Sequence, residues 1–326
     1  MKKILIIGGA GYVGTELSSL LSKKYEITVY DLFIYGDNFE KFEKINKIKG
    51  DIRNIDLLKK IISQEQFYAI VHLACISNDP SFDLNPNLGK SINFDPFEDL
   101  IKISKDYGVR RFIYASSSSV YGVKNVINVD ETFSLEPLTD YSKFKAMCEE
   151  ILLKHSSKDF ISTIIRPATV CGFSRRQRFD LVVNILTNLA FNKNEIIVFG
   201  GDQLRPNIHM KDMCASYDLL LESEDEKIQS QIFNVGYENN SVMKLAEIVK
   251  SCFSKNINIR IQETNDNRSY HISSDKIKDI LGFENKYTIS DAVNDLIIAL
   301  EKKTFINTLD NEMYFNIKRM KLINLK

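Results

Sequence analysis

A glycine cluster near the start of the chain constrains the fold more than any other feature. The segment 8–14 (GGAGYVG) directly follows the apolar, β-type run Lys3–Ile7 and leads into a helical pattern over Tyr12–Ser22. Glycines in this position permit a tight turn and let the backbone approach a pyrophosphate, which then rests on the helix N-terminus. A dinucleotide-binding turn is therefore predicted. Its expected contacts are Gly8, Gly11, Tyr12, Val13 and Gly14.

Short apolar runs alternate with helical patterns through the first half of the chain. Alternation of this kind predicts an α/β fold, a Rossmann-type doubly wound parallel sheet with a smaller C-terminal α/β substrate lobe. Residues 1–165 are predicted to form the nucleotide-binding domain and residues 166–326 the second lobe, with a segment of about 206–235 returning to the first. The last stretch, Thr304–Lys326, carries no motif. The predicted strands are Ile27–Tyr30, Ala69–Leu73, Arg111–Ala115 and Ile161–Ile165, and the predicted helices include Ile55–Ile62, Phe94–Tyr107 and Asp140–Lys154.

Composition excludes several classes of partner. The chain has 43 basic and 43 acidic residues, so no net charge favours a nucleic acid or an anionic membrane. The first apolar run is too short for a signal peptide, and no run approaches the ~20 residues of a membrane span. The 5 cysteines are widely spaced without a CxxC pair, which indicates neither a disulfide framework nor a metal site. A cytoplasmic protein is expected.

Two aspartates follow predicted strands and are candidates for cofactor contacts. Asp31 lies about twenty residues after the glycines, where a carboxylate can accept hydrogen bonds from ribose hydroxyls and repel a 2′-phosphate. This position predicts NAD rather than NADP. Asp51 and the next residue, Ile52, are further expected cofactor contacts. Asp51 is placed to contact the adenine amino group, although a lone aspartate here could equally cap the next helix.

A tyrosine and a lysine predict that the protein is a catalyst and does not only bind a ligand. Tyr141 and Lys145 are four residues apart on a predicted helix, so both side chains lie on one face. The serine cluster Ser116–Ser119 follows the predicted strand Arg111–Ala115. Either feature occurs often by chance, but the two together after a dinucleotide fold predict a catalytic group.

These motifs resemble the extended short-chain dehydrogenase/reductases, in particular the NAD-dependent epimerase/dehydratase family that acts on nucleotide sugars. The resemblance implies that Tyr141, as phenolate, takes a proton from a sugar hydroxyl, that Lys145 holds the nicotinamide ribose, and that Ser117 orients the hydroxyl. Because free tyrosine has a pKa of about 10, a phenolate near neutrality needs roughly 4 kcal/mol of stabilisation. The segment His72-Leu73-Ala74 also matches, which implies that Leu73 and Ala74 contact the cofactor. The other matching segments are Asn93, Arg166-Pro167, Arg205–His209, Asp212, Asn234–Gly236 and Arg268–Tyr270.

The same resemblance implies where the sugar nucleotide binds and how the protein assembles. Arg205 and Arg268 match positions at which family members contact the pyrophosphate, for which a guanidinium is suited. Ser118, Arg178 and Asn184 complete the expected substrate contacts. Family members pair two helices of each subunit into a four-helix bundle across a two-fold axis, so a homodimer is expected.

Departures from the family pattern narrow the choice of reaction. Sugar-nucleotide 4,6-dehydratases carry an Asp-Glu pair where this chain has Ser118 and Ser119, and one group of 3,5-epimerases carries a Cys and a His where it has Ser119 and Ser174. The two activities of the family that these departures leave open are those of a 4-dehydrogenase and of a 4-epimerase. Similarity of segments 116–122, 166–172 and 200–209 to bacterial enzymes of surface-polysaccharide synthesis favours oxidation of GDP-D-glycero-D-manno-heptose at C4. The alternatives are a nucleotide-sugar 4-epimerase and a non-catalytic NAD-binding scaffold, which the presence of Tyr141 and Lys145 disfavours.

Overall fold

A computed structural model describes residues 1–41, 43–124, 126, 128–264, 269 and 271–325. The strands are β1 (Lys3–Ile7), β2 (Glu26–Asp31), β3 (Ile45–Lys49), β4 (Ala69–His72), β5 (Arg111–Ala115), β6 (Ile161–Pro167), β7 (Thr169–Cys171), β8 (Glu195–Phe199), β9 (Leu204–His209), β10 (Gln231–Val235), β11 (Glu238–Ser241) and β12 (Asn258–Gln262). The helices are α1 (Tyr12–Leu21), α2 (Ile55–Glu65), α3 (Asp79–Phe82), α4 (Pro86–Asn93), α5 (Phe97–Asp106), α6 (Asp140–His155), α7 (Val182–Lys193), α8 (Met210–Glu222), α9 (Asp225–Ile228), α10 (Val242–Ser251), α11 (Asp275–Leu281), α12 (Ile289–Glu301) and α13 (Asn316–Leu322).

The central sheet has seven strands in the order β3-β2-β1-β4-β5-β6-β10. Every neighbouring pair in it is parallel. The order reverses between β1 and β4, and in such sheets ligands bind in the crevice at the carboxyl ends of the strands around that point. The predicted Rossmann-type, doubly wound fold is therefore confirmed. The chain leaves the sheet after β6 and returns to it at β10.

Helices cover both faces of this sheet because its strands bury side chains on both sides. In β1, Ile4 and Ile6 belong to the apolar cluster shared with α1 and α8, whereas Leu5 and Ile7 belong to the cluster shared with α2, α4, α5 and α6. This two-sided burial explains why the predicted strands are continuous apolar runs. In the part of the chain that the structure describes, no helix is long and apolar enough to cross a membrane.

The remaining strands form two smaller sheets beside the carboxyl end of the central one. Strands β11, β9 and β7 make a three-stranded sheet, and β12 pairs with β8. Helices α7, α10 and α12 pack in a separate apolar cluster there.

One predicted helix is wrong in its bounds. The helix within Phe94–Tyr107 is α5, which begins only at Phe97, after Pro96 at its N-cap, and the separate helix α4 ends before this span, at Asn93. Proline lacks the N–H that an internal helix position donates and disfavours helical geometry in the residue before it. The break at Pro96 lets α4 end at Asn93. The Asn93 amide then holds the backbone of Ile76 through bonds of 2.8 and 3.1 Å.

A buried ion pair links the elements that will carry the site. Arg166 in β6 donates to both carboxylate oxygens of Glu149 in α6, at 2.6 to 3.2 Å, and the two side chains are 4% and 3% exposed. Glu149 also accepts the hydroxyl of Ser116 at the end of β5. Arg166 donates further to Tyr121, whose hydroxyl donates to Asn234 in β10. Burial opposes the charge of Arg166, but the bonds to Glu149 raise its pKa overall.

Replacing Glu149 with Ala should lower the free energy of unfolding by about 3–5 kcal/mol, because it leaves the Arg166 guanidinium buried without its carboxylate. Urea denaturation followed by circular dichroism measures the loss. The matched control is Glu98→Ala, which removes an exposed pair with Lys102 and should change stability little. Equal losses in the two variants would contradict the importance of the buried pair.

Candidate active site

A cleft of about 490 Å³ runs along the carboxyl ends of the central strands. It brings together residues from both halves of the chain. The predicted site residues that line it are Gly8, Gly11, Tyr12, Val13, Gly14, Asp31, Ile52, Leu73, Ala74, Ser117, Ser118, Tyr141, Lys145, Arg178 and Arg205.

The glycine turn joins β1 to α1 at the floor of this cleft. Gly8 has a φ of +83°, and a Cβ there would lie 2.4 Å from the backbone nitrogen of Ala74. A Cβ on Gly14 would lie 2.5 Å from the carbonyl oxygen of Gly8. Because α1 begins at Tyr12, its first N–H groups point at the cleft, as a pyrophosphate requires. The turn therefore fits a dinucleotide.

Asp31 ends β2 and faces the same cleft. Its carboxylate accepts the N–H of Ala10, within the glycine turn, at 3.0 Å and the N–H of Phe33 at 2.8 Å. Burial raises the pKa of this carboxyl, and the two backbone bonds partly offset the rise. The carboxylate is thus fixed beside the turn, where a ribose would lie.

The candidate catalytic side chains come from α6 and from the end of β5. A capping box between Thr139 and Ser142 starts α6, so that Tyr141 stands in the first turn and Lys145 in the second. The Lys145 Nζ donates to the carbonyl oxygen of Ala115 at 2.6 Å and lies 5.9 Å from the ring centroid of Tyr141. Ser117 caps the 3-10 turn Ser118–Tyr121 with an Oγ that accepts the N–H of Ser119 at 3.1 Å. The geometry places an ammonium, a phenol and a hydroxyl around one space.

His72, at the end of β4, stays neutral beside this group. Burial and then the nearby charge of Lys145 lower the pKa of the imidazole to about 3. The ring stacks on Phe97, with centroids 5.5 Å apart. A histidine without charge does not compete with Lys145 as the positive group near Tyr141.

Two predicted contacts do not line the cleft, and a third lies outside the described residues. The carboxylate of Asp51 is held by Arg53, at 2.6 to 3.1 Å, and Asp51 does not line the cleft or cap α2, whose N-cap is Asn54. Asn184 is fully buried, and its amide is used by Gly172, Tyr12 and Arg178, which makes it a structural residue rather than a substrate contact. Arg268 lies outside the described residues.

Arg176 also lines the cleft; with Arg175 and Arg178 it forms a basic loop before α7, for which the sequence allowed either a solvated loop or substrate contacts. Other cleft residues carried no sequence signal for this role: the segment Ile76–Pro80 after β4, Tyr35 after β2, and Asn316, Met320 and Leu325 near the C-terminus. The dipeptide Asp79-Pro80 indicates only a turn, and the tail has no motif. Among the described residues, no group of three or more His, Cys, Asp or Glu could hold a metal ion.

The fold and site define a Rossmann-type enzyme that binds a dinucleotide. A model of the NAD dependent epimerase/dehydratase family matches residues 4–236, and the chain belongs to that family. The prediction of NAD as cofactor is confirmed at the level of the family.

Relatives with described activities include several 4-epimerases. The chain is 26% identical to the UDP-glucose 4-epimerase of Lactobacillus helveticus over 268 residues, 76% of this chain and 81% of that protein. It is 24% identical to the UDP-glucose 4-epimerase of Lacticaseibacillus casei over 310 residues, 89% of this chain and 94% of that protein. A dTDP-D-glucose 4,6-dehydratase of Dictyostelium discoideum is 27% identical over 258 residues, 72% of this chain and 58% of that protein.

Solved structures share the fold at low identity. The UDP-glucose 4-epimerase of Thermotoga maritima, crystallised with UDP-glucose, has a TM-score of 0.83 at 23% identity and covers 93% of this chain and 100% of its own. The dTDP-glucose 4,6-dehydratase of Bacillus anthracis, in complex with NAD, has a TM-score of 0.80 at 20% identity and covers 98% of this chain and 100% of its own.

Replacing Asp31 with Ala should weaken NAD binding about ten- to a hundred-fold, because hydrogen bonds to a charged group contribute about 1.5–3 kcal/mol. Discrimination against NADP should relax in the same variant. Isothermal titration with both cofactors measures the two effects. The matched control is Asp51→Ala, whose carboxylate is held by Arg53 and should not matter. Equal affinity of the native protein for NAD and NADP would contradict the role of Asp31.

Proposed function

We propose that the protein is a nucleotide-sugar 4-epimerase, which oxidises the C4 hydroxyl of its substrate and then reduces the 4-keto sugar on the other face. The observation that carries this proposal is the grouping of Ser117, Tyr141 and Lys145 around a cleft that also holds the dinucleotide turn. Ser118 and Ser119 stand where a 4,6-dehydratase needs an acid and a base. The relatives described as UDP-glucose 4-epimerases support the same choice.

Each of the three side chains has a distinct role in the proposed reaction. When bound, NAD supplies the hydride acceptor. The Tyr141 oxygen takes the proton of the C4 hydroxyl and returns it after the sugar has turned, and the Ser117 hydroxyl orients the reacting oxygen. The Lys145 ammonium favours the Tyr141 phenolate by its charge. An ammonium carries three donors, so its bond to Ala115 leaves capacity for the nicotinamide ribose.

Two arginines of the cleft suit the diphosphate of the substrate. Arg205 lies in β9 and Arg178 in the loop before α7, and both line the cleft. Arg178 is tied to Asp180 and to the hydroxyl of Ser77, at 2.8 and 2.9 Å, so it is held in place before a ligand arrives. The relatives named above make UDP-sugars the first candidates, and the sequence resemblance to GDP-heptose enzymes makes GDP-sugars the second.

Incubation with a panel of UDP-, GDP-, dTDP- and CDP-sugars, followed by mass spectrometry and NMR, tests the proposed reaction. A 4-epimerase leaves the mass unchanged and inverts C4 in one of these sugars. Loss of two hydrogens with accumulation of NADH would instead establish the 4-dehydrogenase expected from the sequence. Loss of water would establish a dehydratase and contradict both.

Replacing Tyr141 with Phe removes only the ionisable hydroxyl, so turnover should fall about 10²–10⁴-fold while the fold and NAD binding survive. Ser117→Ala should lose less, since the proton acceptor remains. Lys145→Met should reduce both turnover and NAD affinity, and the combined losses should be far from additive. Steady-state kinetics and cofactor titration measure these effects. The control is Tyr237→Phe, at a 48% exposed residue. Nearly full turnover in NAD-loaded Tyr141→Phe would show that the proton leaves by another route.

We also propose that the protein is a homodimer whose subunits pair α5 and α6 into a four-helix bundle. Met147 in α6 is 43% exposed, and Phe144 and Ile151 lie one turn to either side of it, partly buried. Phe144 in turn packs on Phe94, with centroids 5.1 Å apart. This apolar strip suits a second copy of the same surface.

Replacing Met147 with Glu should convert the dimer to a monomer, because two like charges would then lie close to the two-fold axis in an apolar interface. Light scattering at micromolar concentration measures the mass. The matched control is Ile298→Glu on α12, at a residue that is 48% exposed and remote from α5 and α6 in the chain. A native protein that is already a monomer would refute this assembly.

A further inference from the structure

The C-terminal segment Glu312–Leu325, which had no motif, lies along one end of the cleft. We call this the adenosine end, because it is lined by Asp31, Ile34 and Ile52. Met320 is 6% exposed and belongs to the apolar cluster that contains Ile52. The Arg319 Nε donates to the carbonyl oxygen of Ile34 at 2.7 Å. The segment therefore forms a wall of the cofactor cleft.

Asn316, the first residue of α13, connects this wall to two loops. Its Nδ2 donates to the Oγ of Ser77, in the loop after β4, at 3.2 Å. Its Oδ1 accepts Nη2 of Arg176 at 2.6 Å, and its backbone N–H donates to Asp180 at 2.9 Å. Ser77 belongs to the central sheet's loops, whereas Arg176 and Asp180 belong to the loop before α7. Asn316 thus joins the two sides of the cleft.

Arg176 is a buried cation with unused donors. The residue is 3% exposed, and its guanidinium carbon lies 3.6 Å from the ring centroid of Tyr35. Among the described residues no acceptor reaches its Nε or Nη1, although the residue lines the cleft. Burial lowers the pKa of Arg176 to about 10, so it stays charged near neutrality. A buried charged N–H without an acceptor is costly, so an oxygen atom of a ligand in the cleft would stabilise Arg176.

We propose that Arg176 donates to an oxygen of the adenosine diphosphate half of NAD, and that the segment Glu312–Leu325 is a clasp that slows the release of this half. Tyr35 follows the strand that ends at Asp31, so Arg176 lies among the residues of the adenosine end. The bonds of Asn316 to Ser77 and Arg176 hold the two sides of the cleft together at this end. The inference rests on NAD as the cofactor and not on which reaction follows.

Titration of NAD, ADP and adenosine into Arg176→Gln tests the contact. We expect affinity for NAD and ADP to fall about ten- to a hundred-fold, the effect of a hydrogen bond to a charged group. If the affinity for adenosine is unchanged, the contact is to a phosphate. If the affinity for adenosine falls as much as the affinity for ADP, the contact is to a ribose hydroxyl. The matched control is Arg175→Gln, whose guanidinium is held by Glu16 and Glu43. Native affinity in Arg176→Gln, or an equal loss in Arg175→Gln, overturns the contact.

Release of NADH from the loaded protein, followed by stopped-flow fluorescence with excess NAD as the chase, tests the clasp. We expect Asn316→Ala, and a chain that ends at Phe315, to release NADH about tenfold faster or more, as loss of such bonds predicts. The control is Leu322→Ser, at a residue that is 65% exposed. Circular dichroism shows whether each variant is folded. Native release rates in both variants would overturn the clasp. No sugar is present, so this result does not depend on the proposed epimerase activity.

Discussion

The buried ion pair between Glu149 and Arg166 is the interaction on which the site depends. Tyr141, Lys145 and Glu149 follow one another at four-residue intervals and share one face of α6. Glu149 anchors that face to β6 through Arg166 and to β5 through Ser116, the neighbour of Ser117. One pair of charges therefore fixes the helix that carries Tyr141, the proposed proton acceptor, relative to the strand end that carries Ser117, the proposed orienting hydroxyl. A shift of the helix or of the strand end would separate two groups that act on a single oxygen in the proposed reaction.

Electrostatics around Tyr141 follow from burial. Lys145 is 3% exposed and held at Ala115, while His72 nearby is kept neutral in an apolar, aromatic environment. A positive charge in a poorly solvated space acts on its neighbours more strongly than in water. The arrangement places that charge where the proposed phenolate would form. At the end of the cleft lined by Asp31, Arg176 supplies a buried positive charge.

The clasp and the proposed reaction are physically compatible. A 4-epimerase returns the hydride to its own keto intermediate, so it gains from a cofactor that stays bound between the two half-reactions. A dehydrogenase that releases its product must instead exchange NADH at each turnover. The wall formed by Asn316 and Met320 suits retention, and it is built from the last residues of the chain. The proposed retention of the cofactor by the segment Glu312–Leu325 therefore favours the proposed 4-epimerase over a dehydrogenase.

The resemblance to the family implied the grouping of Ser117, Tyr141 and Lys145 in one site. The sequence by itself determined the doubly wound sheet, the glycine turn, the position of Asp31 and the placement of Tyr141 and Lys145 on one helix face. These features depend on local spacing, and their periodicity and turn chemistry are visible in a short window of sequence. Only the tertiary structure decided that the Asn184 side chain is hydrogen-bonded inside the protein, that Arg53 binds the Asp51 carboxylate, and that Asn316 reaches Arg176. The last of these contacts joins residues 140 positions apart, and no local pattern encodes it. Long-range contacts form only after the sheet has brought its loops together, because the chain between them must first be ordered.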